Sequence, residues 1–221
     1  SCLRAGVRRL VFLSSVKAVG EGSLSPHKPY DETDPCRPVD PYGISKMEAE
    51  QIVLAAGKQR GIEVIVLRAP LVYGPGVRGN FLRLLRALDR GLPIPVATVR
   101  NARSMVFVGN LVDVIRLSME HHRAAGAVFF VADGEPLSTR ELVFRLGHHL
   151  GRRPRIIPVP AGLLLFLASC FGKRADVNRL IGSLVVDTRA VRRELGWEPP
   201  FGVDQGLAET VRWFRNDTIC T

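Results

Sequence analysis

The sequence predicts an α/β protein that forms the C-terminal part of a doubly wound parallel sheet, followed by a smaller α+β portion. Two apolar runs, residues 9–14 and 62–68, are short, rich in Val, Ile and Leu, and typical of buried parallel strands. A long polar crossover with one helical segment separates them, which is the βαβ order of such a sheet. The 221 residues are enough to bury the core of one or two domains.

The helix of the crossover is the most informative element. Asp40 can cap it through a side-chain oxygen, and Pro41 suits its first position because the missing N–H needs no partner there. Helix formers then continue as far as Gly57. Tyr42 and Lys46 are therefore one turn apart on one face. A nearby ammonium makes a phenol easier to ionise, so the pair is a candidate general acid/base, with a solvated Tyr and Lys as the alternative.

The remaining chain alternates between short strands and helices. Asn80 and Asn110 are each expected to cap the helix that follows, and Ser138 and Glu141 have the spacing of a capping box. Helices are expected over 81–90, from the Asn110 cap to about residue 121, over 138–150 and over 161–171. Two more are expected to begin at residues 188 and 203. Short strands are expected at 93–96, 105–108, 127–131, 155–159 and 184–186.

Composition and charge narrow the function classes. The formal charge of +10 favours anionic ligands, but the basic residues are scattered without aromatic interleaving, so no nucleic-acid partner is expected. Cys2, Cys36, Cys170 and Cys220 have neither metal-ligand nor dense disulfide spacing, so we expect a cytoplasmic protein without a metal site. The apolar run 161–171 is too short to span a membrane and indicates a buried helix, with peripheral membrane contact as the alternative.

Several segments, in order, carry a resemblance to a known family. They are residues 11–20 (VFLSSVKAVG), 42–46 (YxxxK), 68–76 (RAPLVYGPG), 103–113 (RSMVFVGNLVD) and 186–199 (VDTRAVRRELGWEP). Together they resemble the extended short-chain dehydrogenase/reductases, or NAD-dependent epimerase/dehydratase family. UDP-sugar 4-epimerases are among the nearest types, as are 4-ketoreductases similar to UDP-N-acetylquinovosamine dehydrogenase. The resemblance implies the remainder of a Rossmann-like NAD(P)-binding domain over 1–76 and a mostly substrate-binding portion over 77–221.

The resemblance also implies the catalytic residues and the cofactor. Ser15 would hydrogen-bond the sugar O4, with Ser14 as the alternative, and Tyr42 would exchange its proton with that oxygen. Lys46 would hold the nicotinamide ribose and make the phenol more acidic, and Pro70 would place backbone against the nicotinamide carboxamide. The implied reaction is hydride transfer between NAD or NADP and C4 of a UDP-sugar.

On the substrate side the resemblance implies contacts to the nucleotide diphosphate from Asn80, Arg103 and Arg179. The planar fork of an arginine suits phosphate oxygens, although a surface arginine and an N-capping asparagine are the alternatives. The helix of Tyr42 is in such proteins also part of a dimer interface, so the resemblance implies a homodimer.

Three departures from the family pattern qualify these expectations. Val16 and Lys17 stand where the 4,6-dehydratases carry an Asp-Glu pair, so dehydration is not expected. Leu71 replaces an asparagine found in many epimerases, which slightly favours a deoxy or keto sugar. No G-x-x-G-x-x-G turn joins a strand to a helix, so we expect a chain that lacks the first βαβ half and is inactive alone. A non-catalytic nucleotide-binding module and a reductase of a hydrophobic ketone are the alternatives.

Overall fold

The computed structural model describes residues 6–22, 28–95, 101–157, 159–170 and 181–219. Its strands are β1 (Arg9–Ser15), β2 (Glu63–Ala69), β3 (Leu71–Tyr73), β4 (Met105–Phe107) and β5 (Val128–Phe130). Its α-helices are α1 (Pro41–Arg60), α2 (Gly79–Asp89), α3 (Val108–Glu120), α4 (Thr139–His149), α5 (Ala161–Cys170), α6 (Arg189–Leu195) and α7 (Val203–Ile219).

A three-stranded parallel sheet in the order β1-β2-β5 confirms the predicted α/β class. The central strand, β2, is buried at every position after Glu63, as its apolar run predicts. β1 is less buried than expected, and Leu13 is 40% exposed, because among the described residues β1 pairs only with β2. The register places Ser15 opposite Ala69, so the carboxyl ends of β1 and β2 lie side by side.

α1 begins as the sequence predicts and runs beyond the expected limit at Gly57. The Asp40 side chain accepts the Gly43 N–H at 2.7 Å, and Pro41 occupies the first turn. Gly57 lies inside the helix instead of ending it, and its lack of a side chain allows close packing on β2. A Cβ at this position would lie 2.5 Å from a methyl carbon of Val64. Gly61, with φ of 67°, ends the helix in a left-handed cap.

A buried polar network links the short parallel pair β3-β4 to β5 and α7. Asp133 accepts the Tyr73 hydroxyl and the Asn110 amide, both at 2.7 Å, and burial raises the pKa of the Asp133 carboxyl. Asn110 also pairs with the backbone N–H and C=O of Phe201 at 2.9 Å. The prediction that Asn110 caps a helix is wrong, because its amide satisfies these distant buried groups from inside α3, which begins at Val108.

The other two capping predictions differ in outcome. Ser138 and Glu141 form the expected capping box at the start of α4. The prediction that Asn80 caps α2 is wrong, because α2 begins before it and its N-cap is Arg78, which makes no side-chain capping bond. Asn80 instead accepts a 3.2 Å hydrogen bond from Arg83 one turn later.

Two further expectations are corrected in the second half of the chain. The strands expected at 93–96 and 155–159 reduce, within the described residues, to one parallel bridge between Ile94 and Ile156. α5 was expected to be buried, yet Leu163 is 49% and Phe166 66% exposed. Its length fits the sequence prediction, but it does not place these side chains in any of the three buried hydrophobic clusters. The proposed division at residue 76 stays a prediction.

Candidate active site

The two serines that end β1 have different surroundings. Ser14 donates its hydroxyl to Glu50 at 2.5 Å in a buried contact. Ser15 accepts the Lys17 N–H at 3.2 Å and caps the 3-10 turn Val16–Ala18. Adjacent strand residues point to opposite faces. Since Ser14 is committed to Glu50 and the Ser15 hydroxyl hydrogen has no acceptor among the described residues, the geometry favours Ser15 as the candidate catalytic serine.

Tyr42 and Lys46 lie in the first two turns of α1, next to the end of β1. The Tyr42 side chain is 52% exposed, and its hydroxyl makes no hydrogen bond to the residues that the structure describes. The Lys46 Nζ atom is 5.9 Å from the centre of the Tyr42 ring and donates to the Leu13 carbonyl at 3.1 Å. That hydrogen bond holds the Lys46 ammonium against β1, the strand that ends in Ser15.

A second contact brings the Ser15 segment onto the start of α1. A Cβ on Gly43 would lie 2.4 Å from the Lys17 carbonyl oxygen, so the backbone after Ser15 packs directly on the first helical turn. The Lys17 Nζ atom is also 5.9 Å from the Tyr42 ring centre. Ser15, Tyr42 and the Lys46 cation therefore belong to one region at the carboxyl end of β1.

Lys17 is held by two carboxylates. Its Nζ atom lies 2.5 Å from an oxygen of Glu21 and 2.5 Å from an oxygen of Asp40. The hydrogen bond from Lys17 lowers the pKa of the Asp40 carboxyl to about 2. A paired cation therefore occupies the position at which the dehydratases of the family carry a carboxylate.

An Asp40→Asn variant tests this charge pair, since Asn caps a helix as well as Asp. The lowered pKa of Asp40 means that its stabilising effect is present above the ordinary value of about 3.9 and is lost as the pH falls toward 2. We expect the variant to lose up to about 2 kcal/mol of unfolding free energy at pH 6 and only a few tenths near pH 2. Urea unfolding at both pH values measures the difference, with Glu48→Gln as the control for loss of one negative charge. A loss that is independent of pH would contradict the pairing.

A Gly43→Ala variant tests the close packing of the Ser15 segment on α1. The new methyl group would collide with the Lys17 carbonyl, so we expect a loss of about 1–3 kcal/mol of unfolding free energy and reduced turnover. Gly162→Ala is the matched control, because no atom lies within 4 Å of a Cβ there, and its effect should stay below about 1 kcal/mol. Thermal unfolding of both variants measures this, and equal effects would argue against the contact.

The other candidate residues lie in different places. Pro70 is buried directly after β2, next to the strand end that pairs with Ser15. Asn80 is exposed on α2, and Arg103 donates through Nη1 to the Gly182 carbonyl at 3.0 Å. Within the described residues, no hydrogen bond or ion pair joins Asn80 or Arg103 to Tyr42 or Lys46. Arg179 lies outside the described residues.

The turn between β3 and α2, which continues the motif over 68–76, is rich in glycine. Gly74, Gly76 and Gly79 have φ values of 140°, 83° and 63°, a region that favours glycine. Their spacing in the sequence is G-x-G-x-x-G, and this motif is the signal from which the turn could have been predicted. It differs from the G-x-x-G-x-x-G spacing expected of the family. Arg78 makes no side-chain capping bond to α2, and a helix N-terminus without such a cap favours an anion.

The residues at the end of β1 fit one part of a nicotinamide cofactor. The Lys46 ammonium gives one of its three hydrogens to Leu13, so two donors are left for neighbouring hydroxyl groups such as those of a ribose. The exposed Tyr42 hydroxyl and the Ser15 hydroxyl lie in the same region. No group of three or more His, Cys, Asp or Glu residues suited to a metal ion occurs in the described ranges.

Comparisons with known proteins identify the family of the chain. The model of the NAD dependent epimerase/dehydratase family matches residues 1–132. The UDP-glucose 4-epimerase of Vibrio cholerae is 40% identical over 211 residues, which cover 95% of this chain and 64% of that protein. The N-acetyl-alpha-D-glucosaminyl-diphospho-ditrans,octacis-undecaprenol 4-epimerase of Escherichia coli O157:H7 is 29% identical, over 94% of this chain and 66% of that protein.

A solved structure gives the same result for the fold. The UDP-glucose 4-epimerase of Thermus thermophilus in complex with NAD superposes with a TM-score of 0.76 at 25% identity, covering 97% of this chain and 66% of that one. The chain thus spans slightly less than two thirds of the length of these relatives. The family match over more than half of the sequence, together with the fold, shows that the chain belongs to the NAD dependent epimerase/dehydratase family.

Proposed function

We propose that this chain provides the Ser15, Tyr42 and Lys46 part of an NAD(P)-dependent enzyme acting at C4 of a UDP-sugar. The activity would be that of a 4-epimerase or a 4-ketoreductase. The observation that carries the proposal is the unbonded, exposed Tyr42 hydroxyl beside the Lys46 cation, at the strand end that carries Ser15. The similarity to the UDP-glucose 4-epimerase of Vibrio cholerae supports the C4 chemistry.

Each residue has a defined task in this proposal. NAD or NADP, when bound, accepts or returns the hydride of C4. Tyr42 takes the proton of the sugar O4 as the hydride leaves and gives it back in the reverse step, and the Ser15 hydroxyl donates a hydrogen bond to the same oxygen. Lys46 binds the ribose hydroxyls and stabilises the phenolate by its charge. Pro70 lies at the adjacent strand end and orients the nicotinamide.

For the substrate, we place the diphosphate near the glycine-rich turn before α2. The first N–H groups of α2, to which Arg78 provides no side-chain cap, and the positive end of the helix dipole favour an anion. Asn80 lies in the same first turn, and Arg103 and Arg179 are the cations that the family resemblance assigns to the diphosphate. The net charge of +10 is favourable for such a substrate.

An assay with UDP-glucose and UDP-N-acetylglucosamine, on full-length protein that contains this chain, tests the proposal. For an epimerase we expect proton NMR to show the C4 epimer with no net consumption of NAD(P)H. For a reductase we expect consumption of NAD(P)H only when a UDP-4-keto sugar is supplied. Binding of NAD(P) without turnover of any of these sugars would support the non-catalytic module instead.

We also propose a homodimer through α1. Val39, Ile44 and Ile52, in or directly before this helix, are exposed apolar residues, which is the composition expected of a helix that packs on a partner. Light scattering should give twice the monomer mass for the protein and a smaller mass for an Ile52→Glu variant. An unchanged mass in the variant would exclude this face as the interface.

A further inference from the structure

α5 exposes an apolar surface that no described part of the fold covers. Its ten residues, AGLLLFLASC, include no charged side chain. Leu163 and Phe166 lie about one turn apart and are 49% and 66% exposed. The helix follows Ile157, another exposed apolar residue, and its first turn is anchored by the Pro160 carbonyl, which accepts the Leu163 N–H at 3.0 Å. Such a surface on a folded protein marks an interaction site.

Three basic residues without an ion pair in the described ranges lie in the segment that precedes this helix. Arg152, Arg153 and Arg155 are all exposed, and none of the three guanidinium groups forms an ion pair within the described ranges. The sequence after α5 continues with Lys173 and Arg174. The apolar helix is therefore flanked along the chain by positive charge, although the side chains of α5 itself are uncharged.

We propose that α5 docks the protein on the surface of an anionic lipid membrane. Leu and Phe side chains enter the boundary between headgroups and acyl chains, and the arginines that precede the helix in sequence are attracted to anionic headgroups. A second copy of the chain fits this surface less well, because it would bring a like-charged basic cluster against the first. The described helices include none long and apolar enough to cross a bilayer.

Flotation with vesicles tests this docking, and its readout is independent of the proposed activity. The probes are vesicles of equal parts phosphatidylglycerol and phosphatidylcholine, and vesicles of phosphatidylcholine alone. We expect the protein to bind the anionic vesicles and to bind the neutral vesicles at least about tenfold more weakly. A Leu163→Ser/Phe166→Ser variant should bind the anionic vesicles at least about tenfold more weakly, without any change of net charge.

A matched variant separates the α5 surface from general apolar exposure. Val112 and Met119 on α3 are exposed to a similar extent, so Val112→Ser/Met119→Ser should bind within about twofold of the parent protein. An Arg153→Ser/Arg155→Ser variant should lose about tenfold and should respond less to added salt. Circular dichroism confirms that each variant is folded before it is compared.

Three results would overturn the proposal. The first is no binding to anionic vesicles, and the second is equal loss in the α3 and α5 variants. The third is a dimer, measured by light scattering, that the Leu163→Ser/Phe166→Ser variant dissociates and the α3 variant does not, because α5 would then be covered by a second copy. Loss of binding that is specific to the α5 and arginine variants supports membrane docking.

Discussion

In full-length protein that contains this chain, a Tyr42→Phe variant is expected to lose roughly 10²- to 10⁴-fold of its turnover while keeping its fold. The phenol oxygen is the proposed proton carrier, and no other ionisable group takes this task in the proposed mechanism. The stability should be unchanged within about 0.5 kcal/mol, because Tyr42 is half exposed and its hydroxyl makes no hydrogen bond among the described residues. The measurements are steady-state turnover with the UDP-sugar substrate and urea unfolding of the same preparation.

The other two tyrosines of the chain are the controls. Tyr73→Phe removes a buried 2.7 Å hydrogen bond to Asp133, so it should cost about 1–3 kcal/mol of unfolding free energy while folded molecules keep their turnover. Tyr30→Phe removes a bond to the Gly22 carbonyl near the surface and should affect both quantities little. Full turnover of Tyr42→Phe, or the same pattern in all three variants, would refute the catalytic role of Tyr42.

An Arg68→Met variant is expected to lose about 3–5 kcal/mol of unfolding free energy. The Arg68 guanidinium holds Glu50 through three contacts between 2.7 and 3.2 Å, and the two side chains are only 7% and 4% exposed. Without the cation, the Glu50 carboxylate would remain buried with the Ser14 hydroxyl as its described side-chain partner. Urea unfolding at neutral pH measures the loss.

Two comparisons distinguish the buried pair from an ordinary ion pair. Arg212→Met breaks the exposed contact with Glu209 and should cost at most about 1 kcal/mol. Because buried pairs can be replaced by apolar residues of similar size, Glu50→Leu/Arg68→Met should recover most of the stability lost in the single variant. If Arg68→Met were as mild as Arg212→Met, the pair would not be a main support of the fold.

This pair also matters for the candidate site. Glu50 belongs to α1, the helix of Tyr42 and Lys46, whereas Arg68 belongs to β2 and Ser14 to β1. The buried contacts therefore fix α1 against the strand ends that carry Ser15 and Pro70. We infer that loss of this pair would lower turnover as well as stability, by displacing the phenol from the serine.

The amino-acid sequence alone determined the features that depend on neighbours close along the chain. The strands over 9–14 and 62–68, the capping of α1 by Asp40 and the capping box of α4 were all predicted within one or two residues. The spacing of Tyr42 and Lys46 follows in the same way, because a helix places residues i and i+4 on one face. The family was also visible in the sequence, because its motifs occur in order along the chain.

The tertiary structure alone decided the features that depend on partners distant in sequence. The sequence could not show that the Ser14 hydroxyl binds Glu50, a contact that favours Ser15 as the candidate. Asn110 was predicted to be a cap, but its amide binds Asp133 and Phe201. The exposure of α5 could not be predicted for the same reason, since an apolar run indicates that a helix favours burial but not whether another element covers it. Burial and long-range hydrogen bonds depend on how separate elements pack together, and the local sequence does not specify which element packs against which.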